Sequence, residues 1–409
     1  MAKVRTSEPQ RAQGVIRFEV PEETLPSDHM ARVLWGIVSQ LDLSGFLSDA
    51  KALEGQQGRD QTSVRMLLTL WLYAISVNVG SGREIERRLA SDPAFQWIIG
   101  DKRVGRTTLN EFRVTHPKAI EKAFTDVLGV LLSKGLVSLD LVAQDGTRVR
   151  ASASSSSFRR ASSLADCQRQ AALHLRAVLA QADDTDEQQQ KVREAKARDF
   201  QRRVDEAAAV VRELQESNFS DKTLRASTTD AEARVMKMPG GGYFPAYNVQ
   251  LATAGEPQGG PRTIVGVRVT NVGSDYGSVG PMIDDIEQNC GERPSVLLAD
   301  AGHASFADIE AAAERSVTAY IAPQGRSLTK PPRPSEGPVI AAWRERMGTD
   351  EAKQQMRARA SLCELSNAHV KTRFGMASLL VRGLTKVTCM VLLTALTANL
   401  VAHAAALAG

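Results

Sequence analysis

The sequence predicts an α/β fold: a mixed five-stranded sheet flanked by helices, with an all-α N-terminal domain and a helical insertion between the first two strands. Three observations predict it. Apolar residues recur at three- and four-residue spacing through the first third of the chain. After Gly135 the texture changes to Val- and Leu-rich alternation. From about Ser278 onward, short strand-like runs alternate with helical ones, the pattern of a sheet covered by helices. The chain has 409 residues, 43% of them hydrophobic, so it can bury a large core.

Residues 1–27 read as a polar N-terminal arm without the apolar run of a signal peptide. Residues 28–134 read as a helical domain of its own, with Ser81 and Thr107 as candidate N-caps. Residues 135–409 form the second domain. Its first strand, "LVSLDLVAQDGTRVR", is expected to close at Asp145 and turn back at Asp-Gly. The serine-rich joint "SASSSSFRRASS" leads into an insertion over 159–220, a charged helical hairpin with a break near Asp183-Asp184-Thr185.

Strands resume with "GYFPAYNVQLATA" and "RTIVGVRVTNV". A helix over about Ser278–Cys290, the strand "SVLLAD", a helix over about Ser305–Arg315 and the strand "VTAYIAP" come next. A loop rich in proline and glycine spans 323–338, and the rest is helical. The C-terminal run from Val387 is apolar enough to suggest a membrane span. Thr388, Thr394, Thr397, Asn399 and His403 interrupt it, so a buried core or interface helix is expected.

Four widely spaced cysteines, with no pair at metal-clip spacing, imply neither a disulfide framework nor a zinc ribbon, and they suit a reducing cytoplasm. A net charge of +4 is compatible with a nucleic-acid partner without establishing one. Arg83, Arg87, Arg88, Arg103, Arg106 and Arg113 lie on short helices that begin with Ser or Thr. Such helix N-termini can meet a phosphate backbone or form a solvated basic face.

Three acids point to chemistry. Asp145 and Asp300 each fall at the expected end of a strand, where open sheets place their ligands. Glu364 and Lys371 are seven residues apart on one helix, so they share a face to within roughly 20°. Each acid has another reading: Asp145 as a turn residue, Asp300 as a helix-capping residue, Glu364 as a surface glutamate. Their joint placement favours a metal site, and oxygen ligands without a Cys or His cluster favour Mg²⁺ or Mn²⁺. Two such ions about 4 Å apart support phosphodiester cleavage and strand transfer.

The motifs "LLTLWLYAISVNVGSGREIERRL", "STTDAEARVMKM", "AYNVQLATA", "LLADAGHAS", "CELSNAHVKTRFGMASLLVRGLTKV" and "ALTANL" together resemble bacterial insertion-sequence transposases of the DDE class. The resemblance implies a ribonuclease H-like catalytic core over 135–409 and a DNA-binding helical region over 28–134. It also implies Asp145, Asp300 and Glu364 as catalytic, metal-binding residues. Arg359 and Lys371 match the family's helix signature as DNA contacts, whereas Met356 stands at its usual tyrosine position and His303 replaces the tyrosine after Ala-Gly. Arg83, Arg113 and Arg234 are further candidate DNA contacts.

The implied protein is a Mg²⁺-dependent transposase, with Mn²⁺ as a substitute metal, that binds terminal inverted repeats and target DNA as a homodimer. It would be cytoplasmic and nucleoid-associated, with no membrane and no small-molecule substrate. A catalytically inactive, transposase-derived DNA-binding protein is the alternative. Trp343 is expected to pack in the core rather than to stack on a base.

Overall fold

The computed structural model describes residues 20–47, 61–181, 187–217, 224–325 and 336–408. The N-terminal arm up to residue 19, the expected break at 183–185 and most of the proline-rich loop lie outside these residues.

Six helices come first: α1 (Met30–Val38), α2 (Val64–Ser76), α3 (Gly82–Leu89), α4 (Pro93–Ile99), α5 (Arg106–Thr115) and α6 (Pro117–Ser133). Local signals set several ends. Ser63 Oγ caps α2 by accepting from Met66 N, and Asp92 caps α4 by accepting from Ala94 N, with Pro93 at the first position. Ser81 does precede α3, but its side chain makes no capping bond, and α5 starts behind Gly105 rather than at Thr107. α2 is apolar nearly all round and is buried from Met66 through Ile75, as a central helix must be.

The remaining elements are β1 (Leu141–Arg150), β2 (Phe158–Arg159), α7 (Ala161–Ala180), α8 (Glu187–Glu216), β3 (Ala226–Ser227), β4 (Arg234–Lys237), β5 (Tyr243–Gly255), β6 (Arg262–Thr270), α9 (Val279–Cys290), β7 (Val296–Ala299), α10 (Phe306–Glu314), β8 (Thr318–Ile321), α11 (Pro338–Met347), α12 (Asp350–Thr372), α13 (Leu384–Ala402) and α14 (Ala404–Ala408). Among the described residues the main sheet has six strands rather than five, because β4 pairs with the start of β5. Arg-Val-Met-Lys is too short to show an alternating pattern in the sequence. One edge of β5 pairs antiparallel with β1, while β7 and β8 extend the sheet beyond β1 in parallel. The charged hairpin α7–α8 leaves and rejoins the chain through the two-stranded ribbon of β2 with β3.

Two registers position the acids. β1 does not turn at Asp145-Gly146; it runs through to Arg150, with Asp145 opposite Leu251 and Gly146 opposite Gln250. β7 pairs with only Leu141, Val142 and Ala143 of β1, so that edge of β1 is unpaired by β7 from Gln144 onward.

α13 is long and apolar enough to cross a membrane, yet it lies inside the fold, where it packs on β6, α2, α5 and α6. Its polar residues are bonded within the core. Asn399 pairs through both amide atoms with Ile264 N and O, where the β5–β6 register shifts, and His403 Nε2 lies 2.7 Å from Thr263 Oγ1. One hydrophobic core therefore runs from α1 through the sheet to α13. Trp343 is in it, 2% exposed, donating to Ile321 O.

Candidate active site

β1 and β7, parallel neighbours, deliver the first two acids. Asp145 sits two residues past the last β1–β7 pair, and Asp300 directly follows Ala299 at the end of β7. α12 lies across both strands and brings Asn367 Nδ2 to 2.7 Å from Asp145 Oδ2. Asp300 Oδ1 caps the short turn Ala301–His303: it accepts from Gly302 N at 2.8 Å and faces His303 Nδ1 at 2.8 Å. Each carboxylate thus keeps one oxygen, Asp145 Oδ1 and Asp300 Oδ2, with no hydrogen bond among the described residues.

The electrostatics differ between the two. Burial pushes the Asp145 carboxyl above the ordinary carboxylate range, and the nearby Asp300 charge adds to the rise. Asp300 is held below that range, chiefly by its bond from His303. Arg359 of α12 lowers both, so its guanidinium lies close to the pair, and its buried Nε has no hydrogen-bond partner. Two carboxylates with free oxygens, one of them poorly compensated, fit a hard divalent cation. The Asp300 side chain is 42% exposed, which leaves the site accessible.

Glu364 is not drawn into this pair. It is exposed, and among the described residues no group of three or more His, Cys, Asp or Glu side chains is assembled closely enough to hold a metal. On α12 it projects within about 60° of Asn367 and about 20° of Lys371. Burial lowers the pKa of Lys371, while the nearby charge of Asp145 opposes the fall. Met356 is half-buried against the core.

Two candidate DNA contacts are placed elsewhere. Arg113 is 6% exposed, stacked 4.7 Å from the Trp71 ring and donating to Gly80 O. Burial without an acid partner pulls its pKa down to about 10. Its position on α5 faces the core because Leu109, Phe112 and Arg113 share one side of that helix. Arg234 donates to Ala231 O and Ala233 O and so ties down its own loop. Arg83, Arg103 and Arg106 are exposed on or beside α3 and α5, whereas Arg87 and Arg88 are paired with Glu84.

The sequence reading missed a polar cluster on the opposite face of β1. Strand alternation turns Gln144, Gly146 and Arg148 away from Asp145, and their β5 partners Asn248 and Gln250 lie beside them. Asp275, in the loop before α9, closes this cluster. It accepts from Gln250 Nε2 at 2.6 Å, Asn248 Nδ2 at 2.8 Å and Arg148. Gln250 Oε1 in turn faces His303 Nε2 at 3.0 Å, and His303 is fully buried. The signal was present in "YNVQL", where polar residues alternate in an otherwise apolar strand.

A groove of about 970 Å³ lies apart from these acids, between α5, α8 and the segment before α13. Arg202 and Arg203 in its wall are paired with Asp199 and Glu206.

Comparison with known families gives two matches: residues 19–115 match a family described as a transposase domain, and residues 317–403 match one described as a transposase DDE domain. No curated protein and no solved structure matches the chain. The DDE match contains Glu364 and Lys371, while Asp145 and Asp300 lie upstream of it.

Proposed function

The chain is an insertion-sequence transposase of the DDE class, and on that premise we propose that it cuts and joins the DNA ends of its element at a divalent-metal site held by Asp145 and Asp300. The observation that carries this reading is the meeting of the two acids at the notch where β1 loses β7, each with an oxygen free. The sheet is read as ribonuclease H-like, and Glu364 as the third ligand, since it shares the helix face of Asn367 and Lys371, which approach Asp145.

The class of metal is set by the donors: carboxylates alone suit Mg²⁺, with Mn²⁺ as a substitute. A divalent cation there supplies Lewis acidity, activating water or a 3′-hydroxyl and offsetting charge on the phosphate; a pair of such ions would do so on both sides of it. The chain's own residues do the rest. Asp145 and Asp300 hold the cation, and Asn367 orients Asp145. Arg359, with an unengaged Nε beside the pair, and Lys371 hold the DNA phosphates. Exposed Arg83, Arg103 and Arg106 bind the terminal inverted repeats. Acting on two ends calls for a homodimer on DNA.

One observation favours a second reading, a transposase-derived protein that binds DNA without cutting it: Glu364 stands exposed and apart from the pair. A single assay separates the two. Incubated with Mg²⁺ and a duplex carrying the inverted repeats that flank its gene, the protein should cut at the repeat end, and Asp145→Asn, Asp300→Asn and Glu364→Gln should each abolish cutting. Unchanged cutting by these variants would remove the catalytic assignment; binding without cutting by the parent protein would select the second reading.

A further inference from the structure

We propose that Asp275 is a positioning residue for the two acids: it fixes Asp300 relative to Asp145 from behind the sheet, acting through Gln250 and His303. The proposal rests on the reading of Asp145 and Asp300 as metal ligands.

The geometry runs in one unbroken series. Arg148, on the same strand as Asp145, donates to both oxygens of Asp275 at 3.1 and 3.2 Å. Gln250 Nε2 donates to Asp275 Oδ1 at 2.6 Å, which sets the amide orientation, because an ionised carboxylate only accepts. Gln250 Oε1 is thereby turned to His303 Nε2 at 3.0 Å, and His303 Nδ1 meets Asp300 Oδ1 at 2.8 Å. The series therefore joins the strand of the first acid to the carboxylate of the second.

Two glycines make room for it, one beside each acid. A Cβ on Gly146 would lie 2.5 Å from Asp275 Oδ1, and a Cβ on Gly302 would lie 3.3 Å from Asp275 Oδ2 and 2.9 Å from Asp300 Oδ1. The Asp275 carboxylate is thus wedged between the two acid-bearing segments. Nor is it a third metal ligand in this arrangement: both of its oxygens are engaged, by Gln250, Asn248 and Arg148, and its side chain is 15% exposed. Groups that orient metal ligands in this way typically change metal affinity by about 10- to 100-fold when removed.

The test is Mn²⁺ binding by the full-length protein without DNA, measured by electron paramagnetic resonance alongside the melting temperature of the metal-free protein. Asp275→Asn should weaken Mn²⁺ binding at least about tenfold, and Gln250→Met should do likewise. Asp285→Asn, which breaks the separate Arg268–Asp285 pair, should leave it unchanged. A lowered melting temperature with Mn²⁺ affinity within about twofold of the parent would reduce Asp275 to a structural role and overturn the proposal. If Asp275→Asn does not fold, Gln250→Met decides by the same criterion. If Asp300→Asn binds Mn²⁺ as well as the parent, the metal-ligand reading itself fails and this inference falls with it.

Discussion

Replacing Gly146 by alanine perturbs the site by one methyl group. Gly146 lies in the β1–β5 ladder opposite Gln250, and its backbone needs no left-handed conformation, so the cost of a side chain is purely steric. The new Cβ would stand 2.5 Å from Asp275 Oδ1, and closer still to Gln250 Nε2. Relief requires moving one or both, which breaks the 2.6 Å bond between them. Losing a hydrogen bond to a charged group costs about 1.5–3 kcal/mol and overpacking about 1–3 kcal/mol, so a destabilisation of about 2.5–6 kcal/mol is expected. Gly129 is the control: it is exposed within α6 with nothing near its Cβ position, and alanine there should stabilise by up to about 1 kcal/mol. Urea unfolding followed by circular dichroism measures both. A Gly146→Ala variant within about 1 kcal/mol of the parent would refute the packing of Asp275 against β1.

Three further outcomes are expected. Burial raises the Asp230 carboxyl, so the folded state holds that proton more tightly than the unfolded chain, and the resulting stability is present below the unfolded pKa and lost as pH rises through the folded one. Asp230→Asn lacks this loss, so its melting temperature relative to the parent should improve between pH 4 and pH 7; a constant difference would contradict it. Arg83→Ala and Arg106→Ala should each weaken binding of inverted-repeat DNA and reduce the salt slope by about one, as measured by fluorescence anisotropy across a salt series. Arg113→Met should lower no salt slope, because its guanidinium is inside the core over Trp71. Burial pushes the Cys290 thiol up to about 12, so iodoacetamide at pH 8 should modify it far more slowly than a free thiol, with mass spectrometry as the readout.

The fold was legible where burial follows a period. The N-terminal helices, α9, α10 and the strands β5 to β8 stand where apolar spacing put them, because tertiary packing and local preference agree there. Asp145-Gly146 shows the limit. As a dipeptide it signals a turn, but the whole of β1 beyond it is held in the ladder by β5, about a hundred residues away in sequence. Arg113 shows another: helix period alone does not say that a cation will find an aromatic face and a carbonyl inside the core. At the site, Asp300 does close its strand as expected, whereas Asp145 lies within β1, two residues past its last pair with β7. Gln250 left a local trace in the polar alternation of "YNVQL", but its partners Asp275 and His303 come from segments distant in the sequence, and that pairing carries no local pattern.

That Asp145 and Asp300 share a bound divalent cation is tested most directly by iron-directed backbone cleavage. Fe²⁺ occupies oxygen-donor sites of this kind, and with ascorbate and peroxide it releases hydroxyl radicals where it is bound. Cuts should cluster around residues 144–147 and 300–303 and on α12 near 364–367, be suppressed by Mg²⁺, and be absent from the Asp145→Asn, Asp300→Asn double variant. Cuts elsewhere in the chain, or cuts that persist unchanged in that variant, would contradict the shared site.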